Sequence, residues 1–300
     1  MQTQSWYITG ASGGLGLALA KELLKRGDKV AATSRSLKNI ISKLGDESEN
    51  FLPLELKFDS NLSKNIDENL NAIKAKFNGL DNLVNNAGYG LLGFVEETSE
   101  KQLREQFEVN VFAPFLITQK ALKIMRPNAI KQGGNKENIK ARIYNLSSIG
   151  GFRVSPVSTP YCMSKFAISA LSEGLALDLA DFGIGVVNIM PAGFRTEFAG
   201  SSMKMSEEKI KAYDEKRLAF EKQIKAYNGK QAGNPAQFAK MIYESSRFKS
   251  LPLNLFVGEN AYKNAREKIA SLEVDMKQSE AWAGKIMDFN DFSKSAFDKK

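Results

Sequence analysis

Short apolar runs alternate with longer amphipathic stretches along most of the chain. Residues 5–9, 29–34, 82–85, 142–146 and 185–190 read as strands, and further strands lie within 51–58 and 252–257. Between them, residues 14–26, 61–77, 161–180 and 235–245 carry the spacing of one-sided helices, and 102–125 carries a longer helical pattern with a break expected near Pro114. Val186-Val187-Asn188-Ile189-Met190 is apolar apart from one asparagine, as a strand covered on both faces should be. Strands alternating with helices predict βαβ units. With right-handed crossovers these build an α/β fold, a doubly wound and mostly parallel seven-stranded sheet in a three-layer αβα sandwich.

Two segments fall outside that rhythm. Residues 127–140 are polar and glycine-bearing and read as a surface loop. Residues 198–233 follow the sixth strand with a Lys/Glu-rich helical pattern and are expected to cover a substrate site. After Gly258 the pattern is helical to about residue 278, and a tail rich in Asp, Ser and Lys follows. Neither a repeat nor a linker interrupts the chain. Residues 1–300 are therefore read as one domain with an insert at about 198–233 and a helical extension at about 258–300.

Composition narrows the chemistry. The 300 residues are 43% hydrophobic and 25% charged, an ordinary globular balance. A net charge of +8 raises the question of nucleic acid or an anionic membrane. The basic residues are interleaved with acids, as across 204–230, and no basic run carries interleaved aromatics, so no nucleic-acid partner is expected. Cys162 is the sole cysteine, which excludes an intrachain disulfide and favours a reducing, cytoplasmic setting. The chain has no histidine, which removes His-based triads, His-ligated zinc and His general bases. No metal is expected. The first residues lack a basic segment followed by an apolar one, so no signal peptide is expected, and no apolar run reaches the length of a membrane span.

Thr9-Gly-Ala-Ser-Gly-Gly-Leu-Gly16 closes the first strand and opens the first helix. Gly10 permits a tight turn, Gly14 a close backbone approach to a pyrophosphate, and Gly16 close packing of helix on strand. The helix terminus adds unpaired N–H groups and partial positive charge, so Gly10, Ser12, Gly13, Gly14, Leu15 and Gly16 form the candidate phosphate loop. An NAD site places an acid about 20 residues further on, at the end of the second strand. Here that strand ends in Thr33-Ser34-Arg35, with no acid and with a guanidinium beside the place. A guanidinium suits a 2′-phosphate, which points to NADP(H) held at Ser34 and Arg35.

Tyr161 and Lys165 are four residues apart, on one face of the 161–180 helix. A phenol titrates near ~10, too high for neutral acid–base work, and a neighbouring ammonium is expected to lower it. Ser148 stands just past the fifth strand, where ligands of such sheets bind, and its hydroxyl can bond a substrate oxygen.

With these residues in order, the chain resembles the short-chain dehydrogenase/reductase family, in its compact branch, across roughly residues 5–257. The glycine loop matches the family's Rossmann-type cofactor loop. Asn85-Asn86-Ala87-Gly88 matches the motif ending strand four. Asn110, Ser148, Tyr161 and Lys165 match the catalytic set, and Asp59 stands where the family holds adenine. Pro191-Ala192-Gly193 with Thr196 resembles the motif after strand six, although Ala192 replaces the usual glycine. The resemblance implies hydride transfer between nicotinamide and a carbonyl/alcohol pair. Tyr161 would donate the proton, Lys165 would lower its pKa and bind the ribose, Ser148 would orient the carbonyl, and Asn110 would hold a relay water. Asn86, Ala87, Gly88, Pro191, Gly193 and Thr196 would line the cofactor. The segment 193–198 and the long C-terminus resemble members related to 17β-hydroxysteroid and retinol dehydrogenases. Family analogy also implies a homodimer or homotetramer. An NADP-binding sensor or scaffold without turnover is the alternative, against which stands the presence of both Tyr161 and Lys165. Apolar candidates for the pocket are Phe198, Met203, Met205, Tyr213, Phe220 and Tyr227, with residues 91–94 opposite.

Overall fold

The computed structural model describes residues 3–200 and 202–286. In chain order its first half comprises β1 (Ser5–Ile8), α1 (Gly14–Lys25), β2 (Lys29–Ser34), α2 (Leu37–Leu44), β3 (Phe51–Glu55), α3 (Leu62–Phe77), β4 (Asn82–Asn85), β5 (Gly90–Leu92), α4 (Glu100–Phe107) and α5 (Ala113–Lys131). There follow β6 (Ala141–Leu146), α6 (Thr159–Leu179), β7 (Ile184–Pro191), β8 (Met203–Met205), α7 (Asp214–Tyr227), α8 (Pro235–Ser245), β9 (Asn254–Val257) and α9 (Glu259–Ala283).

Seven strands form one sheet in the order β3-β2-β1-β4-β6-β7-β9, with every pairing parallel. Successive side chains on a strand point to opposite faces, and both faces here are covered. On β1, Trp6 joins Val30, Ala32 and Tyr144 beneath α1, α2 and α8. Its neighbour Tyr7 joins Ala31, Leu83 and Ile143 against α3, α5 and α6. The two apolar clusters are the two interfaces of an αβα sandwich, as the sequence pattern predicts. The strand order reverses between β1 and β4, and the carboxyl ends of these two strands open the crevice where such sheets bind ligands.

Departures from the sequence reading have local causes. The 102–125 pattern is two helices joined by a π-helical segment at Glu108–Phe112, which places the break ahead of Pro114. Pro114 itself sits in the first turn of α5, where a missing N–H breaks no helical bond. The segment expected to be loop from 127 is helical to Lys131 despite Pro127. Asn128 and Gln132 each donate to Asp81 Oδ1 at 2.9 Å and tether that helix end to the sheet. Strand three stops at Glu55, and α9 continues past residue 278 to Ala283. The sequence pattern did not predict α2 or the short parallel pair β5–β8. The Asp/Ser/Lys-rich tail lies outside the described residues beyond 286.

Candidate active site

The crevice between β1 and β4 is built by reciprocal bonds between their two following loops. Thr9 Oγ1 accepts the backbone N–H groups of Asn86 and Ala87, each at 3.0 Å. Asn86 Nδ2 donates back to the carbonyls of Thr9 (2.8 Å) and Gly10 (3.0 Å). Gly10 has φ +67°, and a Cβ there would stand 2.9 Å from Ala87 Cα, so two requirements exclude a side chain. A Cβ at Gly16 would stand 2.4 Å from Asn86 Nδ2, which is the close helix–strand packing the sequence implies. At the mouth, Gly13 faces open space and Thr196 lies over Gly14, with Cγ2 3.7 Å from where a Cβ would be. No side chain caps the start of α1, so its first amides are available to an anion. These features fit a dinucleotide pyrophosphate.

Further along the crevice the loop is tied to strand two. Gly10 N–H donates to Thr33 Oγ1 at 3.3 Å and Ala11 N–H to the Thr33 carbonyl at 2.8 Å. Ser34 is buried, and Arg35 is exposed at the strand's end. The nearest strand-end acid, Glu55, pairs in register with Ser34 and is bridged by Lys57 at 2.7 Å. Asp59 is exposed and accepts the Asn61 N–H at 2.9 Å.

The catalytic candidates converge beyond β6. Ser148 caps the following turn, its Oγ accepting the Gly150 N–H at 3.0 Å, and also bonds the Tyr161 hydroxyl. Lys165 is buried one helical turn from Tyr161, with Nζ 5.8 Å from the centre of the tyrosine ring and donating to the Leu146 carbonyl at 2.7 Å. A Cβ on Gly88 would stand 3.1 Å from Asn110 Oδ1 and 3.7 Å from Lys165 Nζ, which brings the strand-four loop to the same place. Asn110 Nδ2 donates to the Tyr89 carbonyl (3.0 Å) and Ser164 Oγ (3.1 Å), and Oδ1 accepts the Tyr89 N–H (3.1 Å). Both ends of its amide are therefore committed within the protein.

The electrostatics differ from the sequence expectation in one respect. Burial pushes the Tyr161 phenol above its ordinary value, and the bond from Ser148 offsets only part of this. Burial likewise pushes Lys165 down to about 8. The lowered phenol expected from the ammonium is not found, because desolvation dominates and Nζ is turned to the Leu146 carbonyl.

The insert after β7 begins beside this constellation. The Phe198 ring lies 5.5 Å from that of Tyr161. β8 pairs with β5, so the insert is joined to residues 90–92 on the opposite wall. Tyr213 stacks on Phe94 at 4.2 Å, and Arg217 makes a buried ion pair with Glu97. Tyr227 reaches Gly193, where a Cβ would stand 2.3 Å from its hydroxyl. Phe220, by contrast, is only half-buried on α7.

A family model described as short chain dehydrogenase matches residues 4–207. The chain belongs to the short-chain dehydrogenase family. It is 32% identical over 286 residues to oxidoreductase BOA17 of Botryotinia fuckeliana, covering 93% of this chain and 97% of that protein. It is 32% identical over 199 residues to the NADPH-dependent 3-dehydrocapnine reductase of Ornithobacterium rhinotracheale, covering 65% of this chain and 67% of that protein. The solved short-chain dehydrogenase from Streptomyces avermitilis superposes with a TM-score of 0.80 at 30% identity, covering 96% of this chain and all (100%) of that one. The protein is thus an oxidoreductase of this family on the family's fold.

This short-chain dehydrogenase brings Asn110, Ser148, Tyr161 and Lys165 together with Gly88. It sets Gly10–Gly16, Asn86, Ala87 and Thr196 around the crevice, whereas Arg35 and Asp59 stand exposed beyond it. Sequence reasoning missed the supporting residues. Thr9 ties the two loops, Ser147 Oγ donates to the Lys165 carbonyl at 2.9 Å, and Asn145 links Asn85 (2.8 Å) to Ser172 (2.9 Å) beneath the site. The available signal was the polarity of Asn85 and Asn145 near the ends of β4 and β6, with Ser147 directly after β6.

Proposed function

We propose that this short-chain dehydrogenase is an NADP(H)-dependent reductase of ketones or aldehydes, with hydrophobic substrates, acting in the cytoplasm. The observation that carries the reading is the convergence of the Tyr161 phenol, the Ser148 hydroxyl and the Lys165 ammonium beside a glycine cradle suited to a dinucleotide. When bound, the nicotinamide supplies the hydride. The α1 amides and Gly14 would receive the pyrophosphate, Pro191, Gly193 and Thr196 would border the nicotinamide end, and Asp59 would lie on the adenine side. Ser148 holds the substrate oxygen by a hydrogen bond, and Tyr161 delivers a proton to it. Burial keeps the phenol protonated but makes it a weaker acid, so proton transfer depends on a charge that stabilises the phenolate. Lys165 places its positive charge where it stabilises the phenolate once the proton has left. Asn110 fixes the π-helical segment beside Lys165, and the second lone pair of its Oδ1 is left to hold a relay water.

The insert supports the substrate class. Phe198 covers the Tyr161 ring, and Met203 and Met205 extend the cover as β8. Residues 198–233 act as a lid in this reading. Arg35 at the end of β2, with Glu55 already neutralised by Lys57, supports the 2′-phosphate, and the NADPH dependence named for the Ornithobacterium relative agrees with it. The test is the ratio of kcat/KM for NADPH to that for NADH, in the native protein and in Arg35→Ala. A charge-assisted bond contributes about 1.5–3 kcal/mol, so the native preference for NADPH should fall roughly tenfold to a hundredfold in the variant. A native preference for NADH overturns the cofactor assignment.

A further inference from the structure

Ser155-Pro156-Val157-Ser158 turns the chain into α6, and its third residue is left-handed, with Val157 at φ +59°. A turn with proline second and a left-handed third residue calls for glycine in that third place. Among the described residues one other non-glycine shares this conformation, Asn78, which ends α3 and is of a type that tolerates it. Valine is branched at Cβ and tolerates it poorly, and backbone held this way persists only where its surroundings enforce it. Two sets of bonds do so. On the helix side, Ser158 Oγ donates to the Ser155 carbonyl at 2.6 Å and the Ser158 carbonyl accepts the Cys162 N–H at 2.8 Å, which fixes the turn to the helix that carries Tyr161. On the other side the Val157 carbonyl accepts the Gly93 N–H at 2.9 Å. Gly93 is itself held by the insert: a Cβ on it would collide with Ser206, whose Oγ fills the space of the missing side chain. Ser206 is buried, with its N–H on the Leu92 carbonyl at 2.8 Å and its Oγ 2.8 Å from Thr98 Oγ1. Gln102 grips the residues on either side of it, donating to the Met205 carbonyl at 3.1 Å and accepting the Glu207 N–H at 3.2 Å.

We propose that Val157 is a positioning residue: the insert, docked through Ser206 and Gly93, holds its backbone left-handed, and that conformation sets Tyr161 against Ser148. The proposal rests on the reading of the insert as a lid and of Tyr161 as the proton donor. The coupling follows from the order of the contacts. When the insert lifts, Ser206 leaves Gly93, the Gly93 N–H is no longer kept on the Val157 carbonyl, and the valine relaxes to an ordinary φ. Tyr161 follows only four residues later in the first turn of α6, so a changed φ at Val157 re-aims the phenol. A glycine in this place would visit the left-handed form without help, and the phenol would be independent of the insert. Valine makes the catalytic geometry conditional on closure, so that the proton donor is in place only when the carbonyl is covered.

The test is a cycle of Ser206→Leu and Val157→Gly, read by steady-state kinetics with NADPH and whichever carbonyl of an aldehyde and ketone panel the native protein reduces fastest. Leucine is too large for the space beside Gly93 and should undock β8, raising KM in both backgrounds. In the native background it should also lower kcat roughly fivefold to thirtyfold, the factor by which a residue with a Cβ deserts the left-handed form. In the Val157→Gly background the fall should be about twofold, because glycine occupies both signs of φ about equally. Equal falls in kcat in the two backgrounds, or a change in KM alone, overturn the proposal. Thermal midpoint and NADPH binding report the folding of each variant. Amide exchange reads the coupling without turnover: Ser206→Leu should quicken exchange at Gly93 and Cys162, whose bonds end on Val157 and Ser158, and unchanged exchange overturns the proposal. A native protein that reduces no carbonyl of the panel, while the exchange result holds, overturns the reductase reading and supports the coupling.

Discussion

Lys165→Met should make the apo protein more stable while abolishing its turnover. Lys165 is 5% exposed, and burial moves it from an ordinary 10.5 down to about 8. At 1.36 kcal/mol per unit, holding its charge in the folded state at pH 7 costs about 3 kcal/mol. Methionine removes that cost, but leaves the Leu146 carbonyl without the donor now at 2.7 Å, a loss of about 1–2 kcal/mol. The net gain is about 1–2 kcal/mol, or a rise of a few degrees in Tm. The pH dependence has a definite sign. Between about 8 and 10.5 the unfolded lysine binds a proton that the folded one has released. The native protein's stability therefore gains with pH across that window, and the advantage of the methionine variant should shrink. Denaturant melts of both apo proteins at pH 7 and near the top of that window measure the difference. A methionine variant less stable at pH 7, or a gap that does not narrow, would refute the reasoning that burial dominates this site.

Two further perturbations probe the cradle and the lid. Gly10→Ala places a side chain at φ +67° with its Cβ 2.9 Å from Ala87 Cα. Strain of about 1–2 kcal/mol must move the loop, so nicotinamide fluorescence should show roughly fivefold to thirtyfold weaker dinucleotide binding, and native affinity would contradict the fit. Arg217→Ala strands Glu97, only 1% exposed, at a cost of about 3–5 kcal/mol. Since α7 is otherwise largely exposed, the loss should be local: amide exchange across 203–227 accelerates by roughly a hundredfold to a few thousandfold while β1 and β4 keep their protection. Uniform loss of protection, or none, would deny that this ion pair fastens the insert.

The sheet was legible because its buried strands are apolar runs separated by amphipathic helices, and Val186–Met190 could hardly be anything else. The catalytic candidates were legible because the chemistry demands particular residue types at particular chain positions. What escaped the sequence depends on tertiary context. β5 and β8 are three residues each and exist only because residues 90–92 and 203–205 find each other across the cleft. The π-helical turn around Asn110 has no periodic signature, since one extra residue in a turn leaves the apolar spacing nearly intact. Pro127 reads as a helix stop, but bonds from Asn128 and Gln132 to Asp81 keep the helix going. The direction of the Tyr161 shift was misread for a related reason: spacing gives the neighbour, whereas burial and the orientation of Lys165 decide which influence prevails.

The central claim is that the Tyr161 phenol transfers the proton. The most direct measurement is NADPH oxidation against a panel of aldehydes and ketones by native protein and Tyr161→Phe, with dinucleotide affinity determined for both. The expected result is native turnover, a roughly 10²–10⁴-fold lower kcat in the phenylalanine variant, and unchanged binding of the dinucleotide. A phenylalanine variant that turns over at the native rate would contradict the account.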